Sequence, residues 1–168
     1  LRQTRSNSMP ISVSYYGNFN GDAREANILY NINNRYSKQD RYSYFNQLII
    51  AKKFSPNLSL QIAPSVSHYN VVATTMRNDM VALAFGGRYK ISPQTAIIVD
   101  YTQPLTKFLD ENPHPGISAG VEFSTSAHAF QLFVTNYNGI VSQKNIMFNT
   151  NDFFNGDFMI GFNITRVY

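Results

Sequence analysis

A chain of 168 residues has room for one domain with a real core or a closed wall, so a single domain spanning 1–168 is expected. It is 43% hydrophobic but 14% charged, where soluble domains carry roughly 25%, and Asn, Ser, Gln and Tyr fill the gap. The absence of cysteine excludes disulfides, thiolate metal sites and a Cys nucleophile, and the +4 net charge comes from scattered Lys and Arg without a run, which argues against a nucleic-acid partner.

Helical periodicity is scarce, whereas alternation with period two returns in segment after segment. From Pro10 to about Asn20, Ile11, Val13, Tyr15 and Phe19 share one face. Tyr42, Tyr44, Leu48 and Ile50 alternate with Ser43, Gln47 and Ala51. Leu58, Leu60, Ile62 and Val66 then alternate with Ser59, Gln61, Ala63, Ser65 and Ser67. Val81, Leu83, Phe85, Tyr89 and Ile91 oppose Ala82, Ala84, Gly86, Arg88 and Lys90, with Gly86-Gly87 marking a bulge or a close approach. Ile97, Val99 and Tyr101 come next, followed by Ile117, Val121 and Phe123, and then by Phe130, Leu132 and Val134. Phe158, Ile160, Phe162 and Ile164 close the chain. No stretch holds eighteen consecutive apolar residues, so no membrane-spanning helix is expected.

These eight segments predict an all-β, antiparallel up-and-down transmembrane β-barrel. Most run to about nine to thirteen residues, matching the nine to eleven needed to cross a bilayer at a tilt better than the five or six of globular strands. Short turn-like links at Ser55-Pro56-Asn57, Ser92-Pro93-Gln94 and Ser124-Thr125-Ser126 take turns with long polar ones near 21–40, 71–79, 103–115 and 136–155. Outer-membrane barrels have this asymmetry, with tight periplasmic turns and longer extracellular loops. The aromatics fall toward the two ends. Phe54, Tyr89, Phe123, Phe130 and Tyr168 are expected at the short-turn interface, and Tyr15, Phe19, Tyr42, Tyr44 and Tyr101 at the other, as two girdles of interfacial anchors.

The face opposite the apolar row carries Ser, Ala, Gly, Gln and Thr, a poor solvent surface but a reasonable lining for a narrow lumen. On it Lys90 should lie opposite Ala96, Arg88 diagonal to Asp100, and Glu122 at a similar depth. Arg88, Lys90, Asp100 and Glu122 are therefore expected to form a lumen ion-pair cluster near the periplasmic end, serving to neutralise one another and fill the lumen more than to select ions. Gln47 and Gln61 would fill it further. The rival class is a soluble, lipocalin-like ligand-binding barrel with its apolar face inside.

No catalytic or metal motif emerges, and neither enzyme activity nor a cofactor is expected. His68, His114 and His128 lie on separate segments without ligand spacing, and Asp110, Glu111 and His114 in "LDENPHPG" read as an exposed acidic loop. The sequons at Asn57 and Asn163 fall at a turn and within a strand and read as chance.

In combination, "QLIIAKKFSPNLSLQIAPSVSH", "VALAFGGRYKIS", "HAFQLFVTN" and "GDFMIGFNITRVY" resemble a family of outer-membrane β-barrels from Bacteroidota classed as a domain of unknown function. The likeness runs from about Met9 to Tyr168. It implies a signal peptide and further strands upstream, which makes this chain the C-terminal portion of a barrel of about twelve strands. It carries no catalytic residues. Outer-membrane lipid and lipopolysaccharide, the barrel-assembly machinery during insertion and other envelope proteins are the partners so implied. The closing strand, with Tyr168 as its last residue, looks like the C-terminal insertion signal of such barrels, from which Arg166 departs where an apolar residue is usual. The resulting expectation is an outer-membrane barrel, either a structural or accessory part of an envelope assembly or a narrow passive channel.

Overall fold

The computed structural model describes residues 2–4, 9–24 and 37–166. Eight strands follow in chain order: β1 (Ser12–Gly21), β2 (Tyr42–Lys53), β3 (Leu58–Tyr69), β4 (Asp79–Lys90), β5 (Thr95–Pro104), β6 (Gly116–Ser124), β7 (His128–Thr135) and β8 (Met159–Arg166). Each pairs antiparallel with its neighbours in sequence, in one sheet of order β1 to β8. The sheet curves into a half-barrel. Among the described residues β1 and β8 each pair on one side only.

The short links share a device. Ser55 Oγ accepts from the Asn57 and Leu58 N–H groups, and Ser92 Oγ accepts from those of Gln94 and Thr95, at 2.9–3.3 Å. Serine caps the turn while the following proline presets its first φ, so the sequence Ser-Pro-x closes a hairpin twice over. Thr125 does the same work between β6 and β7, accepting from the His128 N–H at 3.0 Å. Pro64 has no N–H to give. The β2–β3 register accordingly lapses opposite Pro64 and Ala63 and resumes unchanged at Ile50–Ile62.

Strand alternation sorts the side chains onto two faces. The concave face takes Ala63, Ser65 and Ser67 from β3, Met80, Ala82 and Ala84 from β4, and Ala96 and Thr102 from β5, all buried. The convex face takes Leu60, Ile62, Val66, Phe85, Ile97, Val99, Leu132, Phe162 and Ile164, all exposed. This corrects the soluble-barrel alternative, which places the apolar row inside. Gly86-Gly87 form no bulge, since the ladder runs through both on each side. Gly86 is there for close approach: a Cβ on it would stand 2.6 Å from Gln61 Nε2.

A segment expected to be an extracellular loop departs from that reading. Residues 136–158 turn back onto the concave face and include a short helix, α1 (Ser142–Met147), and a 3-10 turn at Phe153–Asn155. α1 packs against β2, β3, β4 and β5. The hydrophobic core therefore lies between this returning link and the sheet: Phe45, Met80 and Ala82 from the strands meet Ile146 and Met147 from α1 and Phe108 from the β5–β6 link.

A loop-plugged concave face

The long-loop half of the concave face is stoppered by α1. Apolar and amide residues at 143, 146 and 147 give the helix one buried side, the i, i+3, i+4 pattern that faces a core. Six residues are too few for a helix to stand alone in water. Packing holds it, with Ile146 and Met147 contributing about 1.5–3 kcal/mol each by burial. Gln143, fully buried, donates from Nε2 to Ser43 Oγ at 3.1 Å and to Asn18 Oδ1 at 3.3 Å, tying α1 to β2 and β1. Asn145 clamps the approach to the helix, accepting from the Gly139 N–H and donating to its carbonyl, both at 2.8 Å.

Asparagines strap the two ends of the link to the sheet. Asn136 Oδ1 accepts from the Ile117 N–H at 2.7 Å while its Nδ2 donates to the Pro115 and Asn151 carbonyls, each at 2.9 Å. Asn151 Nδ2 returns a bond to the Asn136 carbonyl at 3.0 Å, and Asn149 Nδ2 donates to the His114 carbonyl at 3.2 Å. A loop buried on a sheet must satisfy its backbone polar groups, and side-chain amides, with a donor and an acceptor each, do so here. The Tyr137 ring lies over Gly116, where an added Cβ would overlap it, and its hydroxyl donates to Asp100 Oδ1 at 3.2 Å. Burial first, and then the nearby Asp100 carboxylate, raise the Tyr137 phenol above its usual pKa.

In the short-turn half the four charges expected to cluster are divided. Arg88 reaches across β5 to Glu122: Nη2 and Nε both donate to Oε1, at 2.6 and 3.0 Å. The path crosses Ala96, fully buried and directly opposite both Lys90 and Glu122, where a larger side chain would stand in the way. Gln131 Nε2 donates to Glu122 Oε2 at 2.9 Å and Ser124 Oγ to Oε1 at 3.3 Å, so the carboxylate is well satisfied. Asp100 turns instead to Tyr137, because its cross-strand neighbour Gly86 offers no side chain. Lys90 stands opposite Ala96 and, among the described residues, its ammonium makes no ion pair.

The expected aromatic anchors stand on the convex side. Phe19 packs against Tyr42 and Tyr44 with ring centroids 5.1 and 5.3 Å apart at the long-loop end. Phe54, Tyr89 and Phe123 are exposed beside the short turns, the first with Lys52 Nζ 5.1 Å above its ring. Tyr101 is exposed and donates to Gln103 Oε1 at 2.6 Å. Tyr15, expected at the long-loop end, lies opposite Leu48, midway along β2. Tyr168 lies outside the described residues.

Two features escaped the sequence reading. Phe133 lies on the concave face across Gly120 and Gly161, and a Cβ on either glycine would stand 2.5 Å from it. Glycines on the two strands that flank Phe133 were the available signal. The other is α1, whose trace in the sequence is the Gln143, Ile146, Met147 spacing inside an Asn-rich link. In the "LDENPHPG" loop, His114 Nδ1 lies 3.9 Å from Asp152 Oδ2. Among the described residues no three His, Asp or Glu side chains gather as metal ligands.

A family model described as "Membrane bound beta barrel domain (DUF5777)" matches residues 1–168. No curated protein and no solved structure matches the chain.

Proposed function

The chain belongs to this family of membrane-bound β-barrel domains, and from that premise we propose that it forms part of the wall of an outer-membrane barrel stoppered by its own β7–β8 link, with a structural or accessory role in an envelope assembly and no enzymatic one. The observation that carries the reading is the plug, in which α1 and the asparagine straps cover the concave face toward the long-loop end. Where Ile146 and Met147 pack on Phe45, Met80 and Ala82, close packing leaves no path for solute along this sheet. The alternation of three short turns with long links supports the outer membrane as the location, with the long-loop end toward lipopolysaccharide. In hydrocarbon, each unpaired backbone group on an open edge costs several kcal/mol. β1 and β8 therefore call for further antiparallel strands that close the wall, placed there by the barrel-assembly machinery. Planar-bilayer recording of the purified full chain tests the plug: a silent bilayer is expected, and discrete conductance steps would replace this reading with that of a passive channel.

A further inference from the structure

Charge is distributed unevenly along the barrel axis. Among the described residues the short-turn ends of the strands carry Lys52, Lys53, Arg88, Lys90 and Arg166, against Glu122 as the one acid there. The long links and the first residue of β4 carry both signs, with Asp22, Asp40, Asp79, Asp110, Glu111, Asp152 and Asp157 set among Arg24, Lys38, Arg41, Arg77, Lys107 and Lys144. Lys52 and Arg166 are on the convex side. Lys53, Arg88 and Lys90 point to the concave side, away from any bilayer the convex face meets.

These three cations sit close together by register. Lys53 pairs with Ser59 and Ser59 with Arg88, so Lys53 and Arg88 are two strands apart in one row, roughly 10 Å. Arg88 and Lys90 are alternate residues of β4, about 7 Å apart. Glu122 is already engaged by Arg88, Gln131 and Ser124, and among the described residues no carboxylate lies within ion-pair distance of Lys53 or Lys90. Among the described residues both lysines are therefore without a counter-charge.

We infer that the short-turn half of the concave face, where Lys53 and Lys90 flank the Arg88–Glu122 pair, is the docking site for an extended acidic peptide segment of a partner protein. The inference rests on the plugged-barrel reading above, because a mouth blocked at its far end holds what enters it. By register Lys53 and Lys90 are roughly 12 Å apart, which is too far for one compact phosphate and close to the span of about four residues of an extended chain. Gln61 lies on the same face and offers its amide for the peptide main chain. Lipid headgroups cannot be what these cations neutralise, since they face the lumen while Lys52 remains at the convex surface for that purpose.

The test uses the full chain in detergent micelles and a fluorescent peptide of alternating Glu and Ser, read by anisotropy at low and high salt. Saturable binding is expected, weakened by salt and reduced about tenfold by K53Q/K90Q. K38Q/K107Q, which removes the same charge at the long-loop end, should leave it unchanged. Heat-modifiable gel migration shows that both variants are folded. Absence of saturable binding would overturn the inference, as would equal weakening by the two double variants. It would also fall if K53Q/K90Q spared the peptide and only reduced sedimentation with phosphatidylglycerol vesicles. Conductance by the unaltered protein would remove the plug without touching these binding comparisons, so the two failures are distinguishable.

Discussion

Loosening α1 should open a defined part of the sheet. Ser67 lies between Phe45 and Met80 in one cross-strand row and is fully buried, and those two neighbours pack with Met147. Its hydroxyl is buried without a hydrogen-bond partner among the described residues, so a thiol replaces it at little cost, and the cysteine-free chain makes Ser67→Cys a unique reporter. Met147 is 1% exposed. Met147→Ala removes its transfer energy and leaves a cavity, at a cost of about 2–5 kcal/mol. The open form buries neither side chain, so this cost falls on the closed state alone. At about 1.4 kcal/mol per factor of ten, the open population rises roughly thirty-fold to a few thousand-fold. When reclosing outpaces the reagent, the labelling rate of the Ser67→Cys thiol follows that population. Equal labelling rates with and without the Met147→Ala substitution would refute the assignment of α1 as the cover over this row.

Other perturbations address the wall and the link. Val99 is 52% exposed at the middle of β5, so Val99→Arg is nearly neutral if the convex face meets water but costs about 2–4 kcal/mol if it meets the bilayer midplane; urea titration of folding into vesicles separates these, and the larger loss is expected. Gly120→Ala places a methyl 2.5 Å from the Leu132 carbonyl oxygen of the next strand, which cannot rotate away as a side chain could. A loss of about 1–3 kcal/mol is expected, seen as a lower temperature for heat-modified gel migration, whereas Gly17→Ala meets only the exposed Tyr15 ring and should be milder. Because Tyr137 has its phenol raised in the folded state, its stabilising contribution is complete below the ordinary tyrosine range and is lost progressively as the pH climbs from that range through the raised value. Absorbance at about 295 nm should therefore show no Tyr137 ionisation near pH 10, and Tyr137→Phe should leave the titration amplitude there unchanged; a smaller amplitude would place the phenol in water.

Strand pairing in this protein is largely local, and that is why it is legible. The hairpin across Ser92-Pro93-Gln94 sets Lys90 opposite Ala96 because the turn length fixes the register, and alternation then commits every side chain of β4 and β5 to a face. The same logic placed Arg88, Asp100 and Glu122 on one face and led to the expectation of a single cluster, of which the structure keeps the Arg88–Glu122 pair and not Asp100. Which charge Arg88 meets depends on two registers in series and on what stands between. Ala96 leaves the route to Glu122 clear, and Gly86 leaves Asp100 to a tyrosine from the β7–β8 link.

The amino-acid sequence by itself determined the strand number, their order as neighbours, the turn positions and the facing of the apolar row, since each follows from a period of two read within about ten residues and from serine and proline at the links. Only the tertiary structure decided that residues 136–158 fold inward as a plug. Gln143 meets Ser43 across 100 positions of chain. Contacts of that separation are made only after the sheet has curved and presented Phe45 and Met80 on its concave side, and a six-residue helix leaves too little periodicity of its own to announce them.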